Sequence, residues 1–478
     1  MPGFSPMKKH LRTFSASAFQ TVMNQFFGLL LFAGMAMLLP KAVFGQVNWA
    51  VAVCTTITLI SSLGFDHIIV RRLSSGGGVP ESVGIYIGHS LLVLTFGALA
   101  LIGIHFLFPG FDKAHPGFEW IFLGLLATFL SMPFKQFANG KEHFWSLAVM
   151  GISGNVLKVA TLILLYLNDR LGVREVALMY LISGVLEWLI CAALGMKIRG
   201  GWLGPYLNPR AYGALIREAL PQLGVVLLDS AGARLDWILM GILSTDIMTA
   251  DYSFSYKAFE SSRLPLLIIA PVILPKLSRL YSEGGVTGKA VTELNLLWRV
   301  ESLICMLIPL VLNVCWPDLI DLVTKGRYGQ STRYVYAVLS LSLPLVYISN
   351  FLWTIAFAQG RLRLTFWFSA ATLSTNVILN LLLIPALGAL GAAIASTGSL
   401  LVNVILYLWY VREPALRIAV RDFLAVGLIA AAITISVGSM PLFWWLRIPL
   451  ACGLYLLLLR AFGFIRFHKP FIPNLKTS

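Results

Sequence analysis

The sequence predicts an all-α polytopic membrane protein of about fourteen transmembrane helices, in two six-helix lobes with two appended C-terminal helices. Three observations predict it. The 478 residues are 58% apolar and only 12% charged, half the roughly 25% charge of a soluble domain. Apolar stretches near the ~20 residues that cross a hydrocarbon core recur from Phe14 to Phe462. Lys and Arg gather on alternate segments between these stretches, as they do in cytoplasmic loops. That composition excludes a soluble enzyme, a secreted disulfide scaffold and a disordered chain.

Charged or Pro/Gly-rich breaks place the spans near 14–38, 43–65, 83–109, 117–134, 145–167, 176–196, 214–243, 249–275, 296–316, 333–358, 364–384, 387–411, 420–438 and 442–462. The first follows Lys8, Lys9 and Arg12, and its run of about 25 residues is too long for a signal-peptide core. With the N-terminus inside, the inside segments and the span ends beside them hold 24 Lys and Arg. The outside loops hold seven: Lys41, Lys113, Arg170, Arg174, Lys325, Arg327 and Arg333. This asymmetry predicts cytoplasmic termini at both ends and explains the formal charge of +15 without nucleic acid.

The loops are too short for an ATPase or glycosyltransferase domain. Gly284-Gly285-Val286-Thr287-Gly288-Lys289-Ala290 approximates a phosphate loop. However, only three residues separate its outer glycines, and Ala290 stands where Ser or Thr must hold magnesium. Cys54, Cys191, Cys305, Cys315 and Cys452 all lie in apolar stretches, and the seven histidines form no ligand pattern. The cysteines read as packing residues, and no metal or cofactor is expected.

An internal repeat organises the spans. Phe137-Ala138-Asn139-Gly140-Lys141 matches Phe357-Ala358-Gln359-Gly360-Arg361, 220 residues later. The match continues from Phe144-Trp145 to Phe366-Trp367, and from Ser153-Gly154-Asn155-Val156 to Ser374-Thr375-Asn376-Val377. A fainter echo sets Gly45 and Ser74 opposite Ala250 and Ser278. The repeat predicts an N-terminal lobe at 1–200, a cytoplasmic linker at 201–213, a C-terminal lobe at 214–411 and appended spans with a tail at 412–478. Six spans per lobe is even, so the lobes relate by an axis along the membrane normal, with a substrate path between them.

Charges inside spans are costly, about 2.5–3.5 kcal/mol each on insertion scales, so each requires a partner or an aqueous cavity. Lys158 in span five and Glu187 in span six fall near the midplane and are expected to pair, as a structural bridge or a coupling element. Span seven carries Asp229, Arg234 and Asp236; span eight carries Lys257, Glu260 and Arg263. Asp229 and Asp236, seven apart, share a helix face, while Lys257, Glu260 and Arg263 form a ladder spaced by three. At ~1.5 Å per residue, Asp236 and Lys257 reach similar depth, as do Asp229 and Arg263. These six charges are read as a cavity wall for an anionic substrate. The cations bind it, and the carboxylates act in gating or ion coupling. Spans one and two supply neutral candidates: Gln20, Asn24, Gln25, Gln46 and Asn48.

These residues bring out a family likeness. Phe44-Gly45 opens span two, and Gly64 with Arg71-Arg72 closes it; Leu235-Asp236-Trp237-Ile238-Leu239-Met240-Gly241 precedes Asp251-Tyr252-Ser253 and Pro275-Lys276-Leu277-Ser278. Gly388 and Gly391-Ala392-Ala393-Ile394-Ala395 start span twelve. The chain resembles the polysaccharide-transporter, or oligosaccharide flippase, family of the multidrug/oligosaccharidyl-lipid/polysaccharide exporter superfamily, with Ala250 where that family often has Gly. The resemblance implies translocation of undecaprenyl-diphosphate-linked sugars across a bacterial inner membrane for surface polysaccharide synthesis, without covalent chemistry. It implies membrane lipids, a polysaccharide polymerase and assembly proteins as partners. A cation-coupled drug antiporter of the same superfamily is the nearest alternative, although Thr13 to Pro40 lacks an acidic residue. A membrane polymerase or glycosyltransferase is the third reading, disfavoured by the small outer loops.

Overall fold

The computed structural model describes residues 5–74, 79–206, 208–266, 289–359, 361–410 and 414–464, and the described residues form seventeen helices. Each predicted span is mostly helical where it is described, with breaks that include 62–64, 130–131 and 263. The near-miss phosphate loop, the segment Pro275–Ser278 and the tail beyond 464 lie outside the described residues, apart from Lys289 and Ala290, which begin a helix. Hydrocarbon supplies no hydrogen-bond partners, so a spanning backbone must satisfy its own N–H and C=O groups, as a helix does. Ten of the described helical segments are long and apolar enough to cross a membrane.

Contacts divide the chain into two compact units, Met1–Ala250 and Asp251–Ser478. The first holds α1 (Ser5–Leu38), α2 (Lys41–Ser61), α3 (Phe65–Ser74), α4 (Val79–Leu107), α5 (Phe111–Ala114), α6 (Phe118–Phe129) and α7 (Met132–Gly140). It continues with α8 (Phe144–Leu167), α9 (Val173–Arg199) and α10 (Pro209–Leu243), and the boundary falls within α11 (Asp246–Ser262). The expected lobe boundary at 201–213 lies earlier, because α10 packs along α2 and joins the first unit.

Local chemistry accounts for the breaks. Leu63 and Gly64 adopt positive φ (52° and 77°), which turns the chain out of α2 and into α3. That short helix buries Phe65, Ile68, Ile69 and Leu73 and turns Arg71 and Arg72 toward Glu218 of α10, which accepts a hydrogen bond from each. The fourth predicted span is broken between α6 and α7. Pro133 has no N–H to donate and its ring opposes the carbonyl four residues back, so the helix restarts at Met132. Asn208 caps α10, its Oδ1 accepting from Arg210 N (3.0 Å) and Ala211 N (3.2 Å), with Pro209 in the first turn.

The second unit holds α12 (Lys289–Thr324), α13 (Gly329–Ala358), α14 (Leu362–Leu387), α15 (Ala389–Tyr410), α16 (Pro414–Gly438) and α17 (Trp444–Ala461). The repeated motifs fall at corresponding places: the first copy ends α7 and leads into α8, and the second ends α13 and leads into α14. Packing partners correspond as well. In the first unit α9 packs on α6 and α8; in the second α15 packs on α13 and α14. The α6–α9 crossing is tight. A Cβ on Gly124 or Gly184 would overlap the opposing backbone, so small residues let these helices approach.

The loop charges predict both termini inside, so reporter fusions at Lys113 and Arg327 are expected to read outside the membrane, and fusions at Lys141 and Lys289 inside. An inside reading at Arg327 would overturn the orientation of the second unit.

Candidate functional site

The predicted pair of Lys158 and Glu187 is not the direct contact. Glu187 Oε1 accepts from Lys135 Nζ at 2.5 Å, while Lys158 Nζ lies over the Tyr180 ring, 5.4 Å from its centroid. The break at Pro133 explains the change. It starts a new helix whose first turn carries Lys135 inward against α9, whereas an unbroken reading leaves Lys135 in an inside loop. Lys158 still lies within electrostatic reach of Glu187. Two cations therefore share one carboxylate in the packed interior, where Glu187 is 3% and Lys158 8% exposed. Gly154 makes room for it, since a Cβ there would overlap Glu187 Oε2.

The second unit ties the same three helices of its repeat with neutral groups. Ser349 Oγ of α13 donates to Asn403 Oδ1 of α15 at 2.5 Å, and Asn403 Nδ2 donates to Thr372 Oγ1 of α14 at 2.7 Å. Thr375 stands where the first unit needs Gly154, and its hydroxyl bonds back to Ala371 O at 2.9 Å. The charged tie thus belongs to one half of the repeat alone.

The neutral candidates of spans one and two serve packing as much as a cavity. Asn24 Oδ1 accepts from Asn155 Nδ2 at 2.8 Å, joining α1 to α8; Gln25 is exposed on α1. Gln46 Nε2 donates to Asp246 Oδ2 at 2.7 Å. Asn48 is buried and donates to Phe44 O of its own helix at 2.7 Å. The α2 contact is extended by Trp49, whose Nε1 donates to Ile238 O at 3.3 Å. Gly45 permits it, because a Cβ would overlap the Asp246 carbonyl, and Gly241 leaves room for the Trp49 ring. Sequence reasoning missed Lys135, Trp49 and Asp246. Pro133 signalled the first, and Thr245, which caps α11 by accepting from Met248 N at 3.3 Å, signalled a helix start beside the last.

Two of the candidates, Asp229 of the clustered charges and the neutral Gln20, have side chains outside the described residues. The Arg234 guanidinium lies 4.9 Å from the Trp237 ring centroid, and Asp236 is buried. In the second unit Lys257 Nζ donates to Glu260 Oε2 at 2.7 Å. The expected ladder stops there, since α11 ends at Ser262. Ser261 and Ser262 hydroxyls bond back to Lys257 O and Ala258 O, both at 2.9 Å, and Pro265 cannot donate to Ser261. Arg263 lies past the helix end, its guanidinium 5.9 Å from the Phe259 ring centroid. Neither Arg234 nor Arg263 has a carboxylate partner among the described residues. Among those residues no three His, Cys, Asp or Glu side chains are grouped to hold a metal.

The Glu187 cluster yields an ordered expectation. Glu187→Gln strands two buried cations and should lower stability by about 3–5 kcal/mol, the cost of breaking a buried pair. Lys135→Met leaves one cation for one carboxylate and should cost less. Denaturant unfolding of the solubilised chain reads the order; the reverse order would contradict the shared-carboxylate geometry.

Residues 11–281 match the family described as polysaccharide biosynthesis protein. Among solved structures the chain is similar to a lipid II flippase, MurJ, in an inward closed conformation (TM-score 0.74, 14% identity, 93% of this chain and 98% of that one). It is similar to an inward-facing multidrug resistance MATE transporter of the MOP superfamily (TM-score 0.58, 15% identity, 86% and 98%). It is also similar to the Vibrio cholerae MATE transporter VcmN (TM-score 0.54, 17% identity, 85% and 98%). No curated protein matches the sequence. The fold is that of membrane transporters and flippases rather than of enzymes. Because the matched region spans more than half of the chain, the protein belongs to the polysaccharide biosynthesis protein family.

Proposed function

We propose that this protein is a flippase that carries undecaprenyl-diphosphate-linked oligosaccharide across the bacterial inner membrane by alternating access. The product would feed O-antigen, capsule or exopolysaccharide synthesis, alongside a polymerase and assembly proteins. Family membership and a fold shared with a lipid II flippase support the reading. The observation that carries it is the state of the membrane cations. Arg234 and Arg263 are half-buried over aromatic rings, with no carboxylate partner among the described residues. A guanidinium in that condition keeps its planar fork of donors for a phosphate group such as those of a diphosphate.

In this reading Lys257 joins the two arginines, and its 2.7 Å contact with Glu260 is the pairing a diphosphate displaces. A buried pair recovers only part of its desolvation cost, so an incoming anion competes for the cation. Asp229 and Asp236 take the same holding role on α10. Lys158 and Glu187 stabilise the first unit, and Asn24, Gln25, Gln46 and Asn48, with Gln20, are the polar groups for the sugar. The isoprenoid tail stays in the bilayer.

The test is export in a strain whose own flippase has been deleted. Arg234→Gln, Lys257→Gln and Arg263→Gln should each leave the chain inserted at normal abundance and cut surface polysaccharide at least tenfold. Normal export by all three variants would end the cation-site reading. Loss of the variants from the membrane would assign the charges to helix packing instead.

A further inference from the structure

The second unit contains a cavity of about 500 Å³ outside the charged helices discussed above. It lies where the C-terminal end of α12, the N-terminal end of α13, the C-terminal end of α16 and the start of α17 meet. Its polar lining includes Asn313, Asp318, Gln330, Arg333 and Arg447, and its apolar lining includes Val314, Ala337 and Ile435. The charge asymmetry of the sequence assigns this end of the helices to the outside. Exposed Tyr334 lines it, and exposed Trp445 lies two residues before Arg447 in the chain; Tyr and Trp are the residue types that sit at headgroup level.

Two features fit an anion. Arg333 and Arg447 against Asp318 leave the lining with one excess positive charge. Arg447 is held in place: its Nη1 donates to Asp318 Oδ2 at 3.1 Å, and its side chain is 18% exposed. Its Nε–H is buried with no hydrogen-bond partner among the described residues. Buried donors without partners are rare in native proteins, and Arg447, held by one carboxylate contact, lines the cavity with further guanidinium donors of the kind a phosphate takes. Arg333 stands exposed at the rim, its guanidinium 5.8 Å from the Tyr334 ring centroid.

We propose that this cavity is a binding site for the phosphate headgroup of an anionic lipid of the outer leaflet. A free phosphate shares the charge chemistry but would leave Val314, Ala337 and Ile435 uncovered. A lipid headgroup sets its phosphate between the arginines and its glycerol and first methylenes on that apolar lining. The cavity volume suits such a fragment, since small-molecule pockets run from about 300 to 1,000 Å³. The site is independent of the cations proposed to bind the transported diphosphate, so either proposal can fail alone.

The test is native mass spectrometry of the delipidated full chain, titrated separately with dioleoylphosphatidylglycerol, dioleoylphosphatidylcholine and inorganic phosphate. The wild type should retain one phosphatidylglycerol with at least tenfold preference over phosphatidylcholine. Arg333→Gln and Arg447→Gln should each weaken that retention at least fivefold, and Asp318→Asn should strengthen it. The opposite signs separate binding from folding, because a merely structural Asp318–Arg447 pair predicts loss in both variants. Arg333 is exposed, so its variant remains informative even if Arg447→Gln fails to fold. Equal retention of the two lipids, or an Arg333→Gln variant that binds as the wild type does, would overturn the proposal. Displacement of phosphatidylglycerol by equimolar inorganic phosphate would overturn it in favour of a free-anion site.

Discussion

Hydrocarbon offers no partner to a backbone amide, a carbonyl or a charge, and that constraint runs through every level of this molecule. Among the described residues it turns the apolar stretches into helices, ten of them long enough to cross a membrane, because a helix satisfies its own backbone. It then decides which polar side chains enter the interior and what they touch. Hydroxyls of Thr56, Ser90, Thr161 and Thr434 bond back to carbonyls one turn earlier, so these groups cost little in an apolar setting. Charges cannot satisfy themselves in this way, and among the described residues Lys135, Lys158 and Glu187 are gathered in one cluster.

Those arrangements differ between the two halves of the repeat. In the first unit Lys135 of α7 and Lys158 of α8 converge on Glu187 of α9. In the second, Ser349, Asn403 and Thr372 link the corresponding helices without charge. Gly154 and Thr375 follow from this difference, one clearing space for a carboxylate and the other packing normally. The α10 helix adds a second asymmetry. Its ties to Arg71 and Arg72 at one end, and to Trp49 at the other, place it with the first unit.

Periodicity and charge made the helical architecture legible from sequence, since apolar length and loop charge are properties of single segments. The misreadings arose where a distant contact or a single backbone residue decides the outcome. Pro133 splits one span and carries Lys135 inward onto Glu187, the carboxylate that span depth alone assigns to Lys158. Pro265 and two back-bonded serines end α11 at Ser262, which removes Arg263 from the expected ladder. The α3 helix is only ten residues long, and its apolar face was hidden between a glycine turn and an arginine pair. Gln46 donates to Asp246, whose position in the chain is two hundred residues away. No local pattern announces such a pair.

The proposed transport depends on cations held in the membrane for a diphosphate, and the most direct measurement is leaflet transfer by the purified chain. Proteoliposomes containing a fluorescent undecaprenyl-diphosphate oligosaccharide, with a membrane-impermeant quencher outside, report the fraction accessible in the outer leaflet over time. The wild-type chain is expected to accelerate equilibration of the diphosphate-linked lipid, while leaving an uncharged undecaprenyl glycoside at the protein-free rate. Equal acceleration of both lipids, or of neither, would contradict a transporter that works through cations.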